Sequence, residues 1–156
     1  MIQIKRVLFP SDFSDLSLQA LIYARSFSEA YSAELHLVHV VDEAAMYWMA
    51  MGPNSLPVAP ATDELVDVSK QELKKFVQEH LQDLKVPLVT EVCVGRPFME
   101  IIRYARENEI DLIVIGTHGR SGLKHVLLGS VAEKVVRKAP CPVLTIRHPE
   151  HEFVMP

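Results

Sequence analysis

The sequence predicts an α/β fold, a parallel sheet covered by helices on both faces. Two observations carry this. Short apolar runs alternate with stretches whose apolar residues recur at three- and four-residue steps, a strand signal followed each time by a helix signal. The connections between successive runs are long enough to hold a helix, which a parallel crossover needs. Right-handed crossovers then restrict the topology strongly.

The elements follow in order. Residues 3–9, Gln-Ile-Lys-Arg-Val-Leu-Phe, read as the first strand, broken by Pro10-Ser11-Asp12. Ser14 or Asp15 offers a side-chain oxygen for a helix start, and Leu16, Ala20, Tyr23, Ala24, Phe27, Ala30 and Tyr31 give a helical stripe over 15–31. Residues 34–41 are the second strand. Residues 42–61 hold Met46, Tyr47, Trp48, Met49 and Met51 and then Gly52, Pro53, Pro57 and Pro60; so long a connection suits a lid, a partner contact, or a short helix followed by coil. Thr62 or Asp63 caps a second helix to about Leu84, with Leu73, Phe76, Val77, His80 and Leu84 on one face. A third strand runs from Leu88 to Val94. Pro97 opens a third helix whose inner face is Phe98, Ile101, Ile102 and Ala105. The fourth strand is 111–115, the fourth helix runs from about Ser130 to Lys138 with Ala132, Val135, Val136 and Ala139 inward, and Pro142 to Arg147 is the fifth strand. One domain is expected over 1–147, with an insertion at 42–61 and a loose tail at 148–156.

Bulk properties narrow the function. Of the 156 residues, 49% are hydrophobic and 23% charged, which fits a globular domain and not a disordered chain. No apolar stretch approaches the roughly 20 residues that span a bilayer. No leader-like apolar region precedes the first strand, so a cytoplasmic protein is expected. Sixteen basic against twenty acidic residues give −4, which leaves no basic footprint for nucleic acid. Cys93 and Cys141 lack any CxxC or metal spacing and read as reduced apolar residues.

The chemistry concentrates at residues 111–132. A buried strand ends at Gly116 and empties into a loop punctuated by Gly119 and Gly122, which closes at Gly129-Ser130, where a helix begins. Glycines let the backbone approach a ligand, and a helix start presents N–H groups and partial positive charge, which together suit a phosphate chain. In a parallel sheet, ligands sit beyond the C-terminal strand ends where strand order reverses. The first and fourth strands end in the two chemically loaded loops, so they would flank such a crevice.

The spacing Gly116-x2-Gly119-x9-Gly129-Ser130, followed by Val131-Ala132-Glu133-Lys134-Val135, resembles the nucleotide-binding signature of the universal stress protein family, in its ATP-binding subgroup. Val7-Leu8-Phe9-Pro10-x-Asp12, His39-Val40 and Pro140-Cys141-Pro142-Val143-Leu144 extend the resemblance over 3–147. It implies a Rossmann-like three-layer sandwich, a five-stranded parallel sheet in order 3-2-1-4-5 flanked by four main helices, with ATP between the first and fourth strands. By position, Pro10 and Asp12 would lie near the adenosine, Asp12 accepting from a ribose hydroxyl, and Val40 would line the adenine pocket. Ile115, Gly116, His118 and Gly119 would border ribose and phosphates, and Gly129, Ser130, Val131 and Ala132 would cradle the phosphates. The resemblance also implies a homodimer through the last strand, Val143 to Arg147.

Blander readings stand beside these. Asp12 also fits an ordinary turn or cap, Val40 a core position, and His118 a loop residue that only positions backbone. Arg120, Lys124 and His125 either meet outer phosphates or form a solvated face. His148 and His151 lack the further ligands that a zinc site needs. The Met and Trp cluster at 46–51 is local packing or a partner contact. An ATP-binding stress-response module with no catalytic residue of its own is the leading expectation. Slow ATP hydrolysis or autophosphorylation at Ser121 or Ser130 is the enzymatic alternative, and an empty-cleft dimeric interaction protein the third. The loop 116–132 has no acidic residue, and the chain has no G-x4-G-K-[ST] motif, so a P-loop NTPase is excluded. Mg²⁺ would accompany ATP chiefly on its phosphates, Asp12 being the carboxylate at hand.

Overall fold

The computed structural model describes residues 1–44, 62–117 and 129–147. The expected insertion beyond Ala44 and the expected tail at 148–156 lie outside these residues. The elements are β1 (Arg6–Pro10), α1 (Asp15–Tyr31), β2 (Glu34–Asp42), α2 (Thr62–His80), β3 (Leu88–Gly95), α3 (Pro97–Glu107), β4 (Leu112–Gly116), α4 (Ser130–Lys138) and β5 (Val143–Ile146). Every ladder is parallel and the order is β3-β2-β1-β4-β5, as expected.

Side-chain alternation along the strands divides the core into two layers. Val7, Phe9, Leu35, Leu37, Leu112 and Val114 pack with Ala20, Leu21 and Ala24 of α1 and with Leu73 and Phe76 of α2. Leu8, Val38, Cys93, Ile113 and Ile115 pack on the other face with Ile101, Tyr104 and Ala105 of α3 and Ala132 and Val135 of α4. With both faces covered, the inner strands β1 and β4 carry unbroken apolar runs, residues 7–9 and 112–115. No helix among the described residues is long and apolar enough to cross a membrane.

Several expected boundaries move. β1 starts at Arg6, not at residue 3. The amides of Lys5 and Arg6 instead donate to Asp111 Oδ2 at 2.7 and 3.0 Å, which clamps the N-terminal edge of the sheet. Pro10 extends β1 rather than breaking it, paired with Val38. α2 ends at His80, not near Leu84, and β4 and β5 settle at Leu112–Gly116 and Val143–Ile146.

The phase of α1 also differs from expectation. Its buried stripe is Ser17, Ala20, Leu21, Ala24 and Ser28, while Tyr23 and Tyr31 are exposed. Small residues let the helix lie close on the sheet, and the amphipathic tyrosines go to its flank. Val136, expected inward, is 46% exposed, whereas Val135 is fully buried. On α3, Tyr104 is buried and Ile102 is only half-buried. The Tyr104 hydroxyl lies 2.9 Å from His36 Nδ1, and His36 Nε2 lies 2.9 Å from Glu34 Oε1. An ionised carboxylate only accepts, so Nε2 carries the proton and Tyr104 donates to Nδ1. Burial lowers the His36 pKa, opposed by Glu34. This hydrogen-bonded chain locks β2 to α3.

Gly95 has φ of +148°, and a Cβ there would meet Glu100 Cγ at 3.0 Å, so the turn into α3 requires glycine. Cys93 and Cys141 are free, and burial pushes both thiols up to about 11, which keeps them protonated.

Ser28 is fully buried, and its Oγ has no hydrogen-bond partner among the described residues. Ser28→Ala removes that unsatisfied hydroxyl. It is expected to stabilise the protein by about 1 kcal/mol, a rise of about 2–4 °C in melting temperature for a domain of this size. An unchanged or lower melting temperature would mean that a buried water serves the hydroxyl.

Candidate functional site

A crevice forms where β1 and β4 part. β1 stays paired with β2 up to Pro10↔Val38, and β4 stays paired with β5 up to Gly116↔Ile146. Between β1 and β4, however, the ladder holds only Val7↔Leu112 and Leu8↔Ile113. Pro10 contributes to this separation. Ser11 N–H donates to Val38 of β2 at 2.9 Å. Backbone donors alternate sides along a strand, so Pro10, one residue earlier, faces β4 with no N–H to offer. The N-terminal edge is tied by Asp111, while the C-terminal edge opens at the topological switch point, where α/β sheets bind ligands.

Each side of the crevice is shaped locally. After Ser11 the chain turns sharply, and Phe13 takes φ of +61°, a left-handed conformation costing about 1–2 kcal/mol. Several contacts hold it there. Phe13 N–H donates to Ser11 Oγ at 3.1 Å, and the Phe13 ring stacks on His39 with centroids 4.3 Å apart. Asp12 Oδ1 accepts from Ser14 N–H at 3.0 Å and from Ser14 Oγ at 2.5 Å. Ser14 in turn caps α1 by accepting from Ser17 N–H. Asp12 therefore does perform the turn role weighed from the sequence. Two of the roughly four acceptor positions of its carboxylate serve Ser14.

On the other side, Thr117 is 2% exposed and its carbonyl accepts from Gly129 N–H at 2.6 Å. That bond brings the start of α4 back to the end of β4. Gly129 is the N-cap with φ of −61°, so it is not used for a left-handed turn. No side chain caps this helix among the described residues; its first intrahelical bond is Glu133 N–H to Gly129 C=O at 2.9 Å. The N–H groups of Ser130, Val131 and Ala132 precede that bond at the positive end of the helix dipole.

The model of the Universal stress protein family matches residues 3–147. The chain belongs to the universal stress protein family. Universal stress protein MJ0531 of Methanocaldococcus jannaschii is 37% identical over 149 residues, covering 95% of this chain and 85% of the relative. The solved structure of MJ0577 from the same organism superposes with a TM-score of 0.79 at 30% identity, over 96% of this chain and 99% of that one. An Archaeoglobus fulgidus universal stress protein solved in complex with dAMP shares the fold, with a TM-score of 0.63 at 21% identity over 93% and 98% of the two chains.

Within this universal stress protein, the residues expected at the site fall into three groups. Val40, Ile115, Val131 and Ala132 pack on one apolar cluster beneath the crevice; Ile115 and Ala132 are buried, Val40 and Val131 half-buried. Pro10 ends β1 and Asp12 follows it in the turn, while Gly116, Gly129 and Ser130 lie at the Thr117–Gly129 closure. His118 and Gly119 lie outside the described residues, as do Arg120, Ser121, Lys124, His125, His148, His151 and the Met and Trp cluster at 46–51. The arrangement offers an apolar floor, a carboxylate on one bank and backbone donors on the other. The closure through Thr117 has no signal in the sequence beyond its place inside the glycine spacing, and the anchoring of the Asp12 loop by His39 has none beyond the His39-Val40 pair of the resemblance.

Proposed function

We propose that the chain is an ATP-binding regulatory module of the universal stress protein family. The observation that carries this reading is the parting of β1 and β4, with the side-chain-uncapped start of α4 returned to that point. An anion is the natural complement of such a helix start. Val40, Ile115 and Val131 would give the adenine an apolar seat, and Asp12 would accept from a ribose hydroxyl. The amides of Ser130, Val131 and Ala132, with the Ser130 hydroxyl, would hold phosphate oxygens. A nucleotide in a protein of the same fold, the dAMP complex above, supports a nucleotide of some kind. The choice of ATP rests on the glycine spacing. Mg²⁺ would travel on the phosphates with water, and Asp12 is the carboxylate of this loop. The β5 edge, whose four residues are all half-buried, would pair with a second copy through Val143 to Arg147.

Native mass spectrometry of freshly purified protein tests the reading. It reports the retained nucleotide, its phosphate count and the subunit number together. Recovery without nucleotide, joined to no heat of ATP binding by calorimetry, would remove it. The ribose contact has its own test. Asp12→Asn keeps an oxygen for Ser14 but loses the charge. It is expected to weaken ATP about tenfold or more, since hydrogen bonds to charged groups contribute about 1.5–3 kcal/mol. An ATP analogue lacking the ribose hydroxyls should lose much less. Equal losses for the two ligands would remove the ribose role.

A further inference from the structure

The loop that carries Asp12 is held from below by one buried ring. Every polar group of Ser11 is engaged. Its N–H donates to Val38, its Oγ accepts from Phe13 N–H and lies 3.1 Å from Ser17 Oγ, and its carbonyl lies 2.8 Å from His39 Nδ1. A carbonyl only accepts, so His39 carries its proton on Nδ1. His39 is 8% exposed. Its ring face also receives the ring of Phe13, stacked at 4.3 Å and 20°, and Phe13 is backed in turn by Phe76 of α2 at 5.6 Å. His39 therefore grips the loop at two points, by its edge at Ser11 and by its face at Phe13. Asp12 is the residue between those points.

We propose that His39 is a positioning residue for the nucleotide: it fixes the backbone on both sides of Asp12 so that the carboxylate is presented to the ribose. This rests on the reading of Asp12 as the ribose contact. Substitution can separate the two grips. Asparagine offers an N–H near the Nδ1 position without the ring, and phenylalanine offers the ring without the donor. The Ser11 bond directs the carbonyl just before Asp12, so the donor should matter more than the stack. His39 adjoins Val40 in sequence, but the two side chains point to opposite faces of the sheet, so its effect would pass through the loop and not through the adenine floor.

The test compares His39→Phe and His39→Asn, alone and with Asp12→Asn, after melting curves show that each is folded. His39→Phe is expected to raise the dissociation constant for ATP about tenfold, the scale of one net hydrogen bond. His39→Asn should recover most of that loss. In the Asp12→Asn background, His39→Phe should add no more than about a twofold loss, because the two act through one contact. Amide hydrogen exchange at residues 11–14 should quicken in His39→Phe and recover in His39→Asn without any ligand. Wild-type affinity in His39→Phe, an equal penalty in the Asp12→Asn background, or no recovery in His39→Asn would overturn the proposal while leaving ATP binding intact. Failure of the wild-type protein itself to bind ATP would instead overturn the nucleotide reading, and this role of His39 with it.

Discussion

Ser130→Asp is expected to weaken ATP binding about a hundredfold or more while leaving the protein as stable as before, or slightly more so. The two effects have opposite signs because they share one cause. Ser130 is the first residue of α4, exposed, and followed by amides with no side-chain cap among the described residues. A carboxylate at the first turn of a helix complements the dipole and contributes about 0.3–1 kcal/mol. For a domain of this size that is a rise of about 1–4 °C in melting temperature. The same carboxylate would occupy the amides proposed for phosphate and repel the triphosphate by charge. Calorimetry with ATP and with adenosine separates the contributions. Adenosine has no phosphate, so its affinity should change little. Were α4 merely a structural helix start, the stability gain would appear with no change in ATP affinity. Parallel loss of ATP and adenosine would mean that the substitution had disturbed the crevice as a whole.

The start of α4 belongs to the part of the molecule that is most legible from sequence. Gly116, Gly129 and Ser130 belong to one strand–loop–helix unit, and their roles depend on neighbours in the chain. The unbroken apolar run at Leu112–Ile115 was readable for a similar reason, since covering both faces removes polar alternation. What was not readable depends on backbone groups brought together by the fold. Gly129 N–H to Thr117 C=O and His39 to Ser11 C=O both end on a carbonyl, which every residue possesses. The His39 contact also requires the β1–β2 register, which pairs Pro10 with Val38. The misplaced phase of α1 has another origin. A helical stripe read by apolar bulk favours Tyr23 and Phe27 over Ser17 and Ser28, but close packing against a sheet favours small side chains, and size decides which stripe turns inward. Asp12 shows that two readings of one residue can coexist. Its turn role is present in the bonds to Ser14, and the ribose role would be exerted from that same fixed position.

Phe9→Ala is expected to destabilise the protein by about 3–5 kcal/mol, a large share of the roughly 5–15 kcal/mol that keeps a domain folded. Phe9 heads the largest fully buried side chains and lies on β1, the central strand of the sheet. It shares its layer with Leu21 of α1 and with Phe76 of α2, while its neighbour Leu8 faces the layer of Ile101. At about 2–4 °C per kcal/mol, the melting temperature should fall by about 6–20 °C. Phe9→Leu, which leaves a smaller void, should recover most of the loss. Magnitude alone does not identify the layer, because both faces of β1 are covered and a strand slipped by one residue would still bury Phe9. Coupling does identify it. In urea denaturation, Phe9→Ala should couple to Leu21→Ala by 0.5 kcal/mol or more in the about 0.5–3 kcal/mol range seen for side chains that share a cavity, and should add to Ile101→Ala within about 0.5 kcal/mol. The reverse pattern would place Phe9 against α3 and α4. It would shift the alternation of β1 by one residue, and with it the Pro10 backbone that faces β4 without an N–H. The crevice would then lose its structural cause.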